Sequence, residues 1–197
     1  MYPPATASSS TIILLNGISS AGKTSISKVL QQTMNEPFLH VSIDAFEDML
    51  PDRYKEEGLF AWQALFPKLL TEFHRSIAAL ADAGTNLIVD HVMVYREGWA
   101  STLADCLTVL EPFPVYFVGV HCSVEEAKLR EQARSDRFTG TAERQFPRVH
   151  RHNLYDVEVD TTHTSPEACA EQIRTFVGRH APTAFANLRQ MPRQSIP

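Results

Sequence analysis

The residues Gly17-Ile18-Ser19-Ser20-Ala21-Gly22-Lys23-Thr24 follow directly on the apolar run Thr11-Ile12-Ile13-Leu14-Leu15-Asn16. Residue types in this order make a phosphate cradle. Glycines let successive backbone N–H groups converge on phosphate oxygens, and a helix starting at the end of the loop sets its positive end behind them. Lys23 then reaches the β- and γ-phosphates, and Thr24 ligates Mg²⁺. A strand signal before the loop and an amphipathic stretch after it supply the context the pattern needs, so Gly17 to Thr24 are expected to bind a nucleoside triphosphate. The competing role is a glycine turn that only joins a strand to a helix.

Phosphoryl transfer also needs a group that orients the acceptor and positive charge over the migrating phosphoryl group. Asp44 closes the strand-like stretch Phe38–Ile43 and is a candidate base for a substrate hydroxyl; an N-cap for a helix beginning at Ala45 is the alternative. Asp90 ends the apolar run Leu87-Ile88-Val89, as does the acid that holds Mg²⁺ in phosphate-loop enzymes. Its alternative is a loop cap. Arg130, Arg134 and Arg137 fall three or four apart on one helical face, a spacing suited to clamping a triphosphate. Arg137 with Phe138-Thr139-Gly140 would then form a lid that excludes water, against the reading of a solvated basic face paired with Glu126, Glu131 and Asp136.

Other chemistries lack their residues. His150-x-His152 does not have the spacing of a hydrolytic zinc helix, and neither a Gly-x-Ser-x-Gly elbow nor a Cys-x-x-Cys pair occurs. The histidines therefore read as surface or packing residues. Without an Asn-Lys-x-Asp guanine-reading motif, the nucleotide is expected to be ATP.

Strand and helix signals alternate along the chain to position these groups. A helix over Lys23–Met34 presents Ile26, Val29, Leu30 and Met34 on one face and stops at Asn35-Glu36-Pro37. After Phe38–Ile43 a short helix closes at Pro51, and Asp52–Gly58 reads as a charged loop. Pro67 is expected to open a helix carrying Leu69, Leu70, Phe73, Ile77 and Leu80, with Gly84 beyond its end. Asn86–Asp90 is a buried strand, Trp99, Leu103, Leu107 and Leu110 mark a helix, and Val115–Cys122 is a strand. Ser123-Val124-Glu125-Glu126 is a capping box whose helix runs into Ala133–Arg137. Thr141–Asn153 looks helical but interrupted by Pro147, Asp156–Asp160 alternates as a strand, and Ser165-Pro166-Glu167 opens the last helix, which stops at Gly178.

Five strands alternating with helices imply an α/β domain, a parallel sheet covered by helices on both faces with right-handed crossovers. Ligands in such sheets bind beyond the carboxyl ends of the strands, where the cradle, Asp44, Asp90 and Asp160-Thr161-Thr162 are expected to converge. Residues 11–180 form the single domain, with a lid around 134–146. Residues 1–10 are expected to be a flexible lead, and 181–197, with three prolines, an extended or mobile tail.

A chain of 197 residues, 44% hydrophobic and 21% charged, has the composition of a globular protein, with no apolar run long enough to span a bilayer. A formal charge of -5 argues against nucleic acid as partner. Cys106, Cys122 and Cys169 sit in apolar patterns and are expected to be buried free thiols. Met1–Ser10 lacks the pattern of a signal peptide, so the cytoplasm is the expected compartment. Nothing in the pattern requires or forbids a homo-oligomer.

From Ile12 to Val177 the chain resembles the chloramphenicol phosphotransferases and their relatives among small P-loop kinases. The likeness is carried by Leu15–Thr24, Ile43-Asp44 with Met49-Leu50-Pro51, Ala133-Arg134-Ser135-Asp136-Arg137, and Tyr155-Asp156-Val157-Glu158-Val159-Asp160-Thr161-Thr162-His163. The resemblance implies a P-loop NTPase fold like that of nucleoside monophosphate and shikimate kinases. It also implies a base at Asp44 for a drug's primary hydroxyl, arginines 134 and 137 near the phosphates, and adenine contacts near Thr161 and Thr162. The chain departs from the family at His91, where the antibiotic kinase is expected to carry a second acid, and over Asp52–Phe66 on the acceptor side.

The expected activity is transfer of a phosphoryl group from ATP, with Mg²⁺, to a hydroxyl of a small molecule such as chloramphenicol. Alternatives are a kinase of a sugar nucleotide or other metabolite, as in zeta-toxin-like enzymes, and an ATP-binding regulatory module that transfers nothing.

Overall fold

The computed structural model describes residues 10–51, 53–54, 59–94, 102–133 and 140–191. Five strands, β1 (Ile12–Asn16), β2 (Phe38–Ser42), β3 (Asn86–His91), β4 (Val115–His121) and β5 (Val157–Asp160), form one sheet in the order β2-β3-β1-β4-β5. All neighbours are parallel, with Leu14 opposite both Val89 and Phe117, Ser42 opposite Asp90, and His121 opposite Asp160. Parallel pairing requires crossover connections that cover both faces of the sheet, which is why β1 and β3 read as continuous apolar runs.

The helices among the described residues are α1 (Lys23–Thr33), α2 (Ile43–Glu47), α3 (Leu59–Asp82), α4 (Thr102–Val109), α5 (Val124–Gln132), α6 (Thr141–Val149), α7 (Pro166–Val177) and α8 (Ala184–Gln190). Alternation along the strands divides the core in two. Ile12, Leu14, Val89 and Phe117 pack with Phe73 and Ile77 of α3, Cys106 of α4 and Phe185 of α8. Ile13, Leu15, Ile88 and Val118 pack on the other face with Leu30 of α1, Ala127 of α5 and Ile173 of α7. Each fully buried leucine, isoleucine or phenylalanine contributes about 1.5–3 kcal/mol. Cys106, Cys122 and Cys169 are buried free thiols, as their apolar settings predict.

Several element ends shift by a few residues, and helix α6 runs unbroken through Pro147 to Val149 instead of being interrupted there; three larger differences stand out. Helix α3 begins at Leu59, and Pro67 lies inside it instead of opening it. A single proline forfeits one intrahelical hydrogen bond, and the long helix around it keeps enough of its buried face to continue. Strand β2 ends at Ser42, whose Oγ accepts from the Ala45 N–H at 3.1 Å and so caps α2. The third correction concerns the tail: residues 184–190 are helical, not extended. Asp156 Oδ1 accepts from the N–H groups of Thr183 (2.7 Å) and Ala184 (2.9 Å), satisfying the start of α8 from outside. Phe185 then packs edge-on against Phe117 with ring centroids 5.2 Å apart. The lead expected over 1–10 lies mostly outside the described residues, but Ser10 is anchored, its Oγ donating to Ala81 O at 2.6 Å.

Between α6 and β5 the chain builds a half-buried aromatic cluster over the buried ring of Phe117. The His152 ring stacks on Phe117 at 5.0 Å, and the His150 ring on His121 at 4.2 Å. Tyr155 Oη accepts from Asn16 Nδ2 at 2.8 Å and donates to His150 Nδ1 at 2.6 Å, which fixes the His150 proton on Nε2. Burial first, then the neighbouring His121, His152 and Lys23, lowers the His150 pKa to about 3, and burial lowers that of His152 to about 4.

An unfolded histidine titrates near 6.5, so acid protonates the unfolded chain first and stability falls as pH drops below that value. From pH 7.5 to 5.5 these two rings are expected to lower the urea-unfolding free energy by about 1–2 kcal/mol, a figure reduced for the partial exposure of both. Unchanged or greater stability at pH 5.5 would contradict this assignment.

Candidate active site

The cradle spans the tip of β1 and the first turn of α1, and its backbone shows why glycine recurs there. A Cβ on Gly17 would lie 2.4 Å from Val120 O, so only glycine allows the loop this close to β4. Gly22 has φ +88° and stands at the N-cap of α1, which has neither a side-chain cap nor an acidic residue in its first turn. Backbone N–H groups at this helix start are therefore left for an anion. Ser20 also adopts positive φ, 61°, a strained geometry for a residue with a side chain.

Lys23 is buried at 6% exposure, and its Nζ donates to Gly17 O (3.0 Å) and Ile18 O (2.9 Å). Asp90, also buried, completes its surroundings. Its Oδ1 lies 3.6 Å from Lys23 Nζ, while its Oδ2 accepts from Thr24 Oγ1 at 2.7 Å. One carboxylate thus bridges the lysine and threonine of the cradle, and Thr24 with Asp90 provides the hydroxyl and carboxylate that a Mg²⁺ held through phosphates and water would take. The Oγ atoms of Ser19 and Ser20 are buried without a hydrogen-bond partner among the described residues. Orphaned hydroxyls on a loop of converging donors fit a phosphate ligand.

Asp44 lies in the first turn of α2, half-buried, two residues past Ser42, the residue of β2 in register with Asp90. Because Ser42 makes the cap, Asp44 is not the N-cap of this helix. Register and strand ends therefore put Asp44 and Asp90 at the same carboxyl edge.

On the opposite side of the cradle, Thr161 Oγ1 donates to Ala21 O at 2.8 Å. Arg130 holds the same residue, with Nη1 3.2 Å from Thr161 Oγ1 and Nη2 2.7 Å from Thr161 O, while its Nε donates to Glu126. Thr162 Oγ1 accepts from Ser123 N–H at 2.9 Å. The expected capping box is consequently half made: Ser123 Oγ accepts from Glu126 N–H, but Glu126 turns to Arg130. The structure brings Arg130 and the threonine turn against the cradle, whereas Arg134 and Arg137 lie outside the described residues.

Two features escape sequence reading. Asn16 is fully buried and ties three segments, its Oδ1 accepting from Met93 N–H and its Nδ2 donating to Tyr155 Oη and Val149 O. His91, the departure beside Asp90, points to the other face of the sheet, as alternation requires. There Val92 N–H donates to His91 Nδ1 (2.7 Å), so the His91 proton sits on Nε2 and points to His74 Nε2 (2.9 Å); His74 Nδ1 in turn donates to Asp105 Oδ2 (2.6 Å). Burial, followed by His74 and Lys23, holds His91 neutral, and the His74 hydrogen bond lowers the Asp105 carboxyl. Contacts across 17 and 31 positions leave no periodic signal; the residue after a strand-end acid was the only hint.

The sequence and the fold resemble those of known proteins. A protein of Mycobacterium tuberculosis strain H37Rv, whose name assigns it provisionally as an O-phosphotransferase, is 34% identical over 201 aligned residues covering 91% of this chain and 88% of that protein. The fold matches the M. tuberculosis APS kinase solved with AMPPNP and APS (TM-score 0.63, 14% identity, 86% of this chain and 98% of that one). Shikimate kinase from Acinetobacter baumannii matches similarly (TM-score 0.58, 15% identity, 84% and 92%). The family model for chloramphenicol phosphotransferase-like proteins matches residues 10–178. With the P-loop kinase fold and the cradle in place, the chain belongs to the chloramphenicol phosphotransferase-like family and is an O-phosphotransferase.

Proposed function

We propose that this enzyme transfers the γ-phosphoryl group of ATP, with Mg²⁺, to a hydroxyl of a small molecule, acting in the cytoplasm where ATP is supplied. The observation that carries the reading is the Asp90 carboxylate meeting Lys23 Nζ and Thr24 Oγ1 at the mouth of an uncapped helix start. Residues Gly17–Thr24 hold the phosphates, Thr24 and Asp90 the metal, and the turn at Thr161 and Thr162 borders the base. Bound Mg²⁺ would neutralise charge on the phosphate oxygens. Arg134 and Arg137 are assigned to the developing charge, on the spacing of the family motif.

Asp44 is assigned as the group that takes the acceptor's proton and orients the hydroxyl towards the cradle. Its place at the carboxyl edge beside Asp90 supports this role. The primary hydroxyl of chloramphenicol is the first acceptor to test, because the family's name and the Ile43-Asp44 and Met49-Leu50-Pro51 match both point there.

Incubation of the protein with γ-labelled ATP, Mg²⁺ and a panel containing chloramphenicol, sugar nucleotides and shikimate-like polyols is expected to label a hydroxyl acceptor. Loss of label from every acceptor, with ATP still bound, would contradict phosphotransfer to this panel. In the variant Asp44→Asn, turnover is expected to fall about 10²-fold or more while ATP affinity changes by less than about threefold. Unchanged turnover would remove Asp44 as base.

A further inference from the structure

One residue of α6 enters the cradle without any sequence motif to announce it. The backbone N–H of Ser19 donates to Gln145 Oε1 at 2.6 Å. Since an N–H can only donate, the carbonyl oxygen of the carboxamide must face Ser19, which turns the NH₂ group, with its two donors, to the other side. The contact also lies at a definable end of the cradle. Lys23 Nζ rests on the carbonyls of Gly17 and Ile18, the two residues before Ser19, so Gln145 meets the loop where the ammonium that serves the β- and γ-phosphates sits. Ser19 is itself 4% exposed, and its Oγ has no partner among the described residues, as does the buried Oγ of Ser20.

Helix α6 is fixed at both ends, which makes the position of Gln145 reproducible. Glu131 of α5, 1% exposed, accepts from Gly140 N–H (2.9 Å) and Ala142 N–H (2.8 Å), so its carboxylate clamps the start of α6. At the far end Val149 O accepts from Asn16 Nδ2 at 3.2 Å, and Asn16 immediately precedes the cradle. Gln145 is thus suspended over the loop by a helix whose two ends are tied to neighbouring elements of the same site.

We propose that Gln145 is a binding residue for the terminal phosphoryl group of the donor, its Oε1 held by Ser19 and its NH₂ donating to a γ-phosphate oxygen, so that it separates a nucleoside triphosphate from the diphosphate. The inference rests on the reading of Gly17–Thr24 as an ATP cradle and adds a donor from outside the motif. It assigns to α6 a direct role in sensing whether the transferable group is present.

The test titrates wild type, Gln145→Ala and Gln145→Glu with ADP and with a non-hydrolysable ATP analogue, each with Mg²⁺. Gln145→Glu keeps the acceptor for Ser19 N–H but replaces the donors with a negative charge. It is expected to weaken the ATP analogue about tenfold or more, and Gln145→Ala about three- to tenfold, while ADP affinity stays within about threefold in both. Preserved ADP binding doubles as the control for folding. Equal weakening of both ligands, no change in either, or tighter binding of both by Gln145→Ala would overturn the proposal, the last because it would make Gln145 a mere occupant of the loop. Wild-type protein that binds neither ligand would overturn the ATP reading and this proposal with it.

Discussion

A buried carboxylate and a buried ammonium each carry a large desolvation cost unless something compensates it. Asp90 and Lys23, 3.6 Å apart and each about 6% exposed, compensate one another, and Thr24 Oγ1 and two loop carbonyls fill their remaining hydrogen-bond positions. This contact dictates much around it. It requires β3 to lie beside β1 with Leu15 opposite Asp90, and it requires α1 to begin where Lys23 can fold back over the loop. Gly17 then has to be glycine, because the same loop presses on Val120 O from the neighbouring strand. Removing either charge would leave the other stranded, so the pair fixes the geometry even where its net contribution to stability is small.

Around that centre, polar side chains act as ties between segments distant in the chain. Asn16 joins the tip of β1 to the residues after β3 and to the end of α6. Thr161 and Arg130 join the tip of β5 to the far side of the cradle, and Glu131 fastens the start of α6 to α5. Because the ties use buried or half-buried groups that would be costly to leave unpaired, the loop is held from several directions in the shape it presents to a ligand. Preorganised donors of this kind are what stabilise charge on a transferring phosphoryl group without reorganisation.

Much of this was legible in the chain. The apolar runs of β1 and β3, the cradle and the Ser165-Pro166 helix start follow local rules of spacing and capping, and the structure places them within a residue or two of expectation. Legibility failed where the deciding interaction was distant. Helix α8 is short and flanked by prolines, and its start is completed by Asp156, a residue 27 positions earlier. The run of α3 through Pro67 reflects tertiary burial overriding a local breaker. Likewise Gln145 belongs to no motif, and the His91–His74–Asp105 chain joins three elements that sequence periodicity treats as unrelated.

The role proposed for Asp90 and Thr24 at the metal end of the cradle makes Mg²⁺ dependence the decisive observable. The measurement is ATP affinity with and without Mg²⁺ in wild type and in Asp90→Asn. In wild type, Mg²⁺ should tighten ATP binding. In Asp90→Asn that tightening should shrink by about tenfold or more while metal-free ATP binding is retained, since the role proposed for the lost carboxylate lies in the metal shell and not in holding the phosphates. An identical Mg²⁺ effect in the two proteins would contradict the assignment of Asp90 and with it the account of the site.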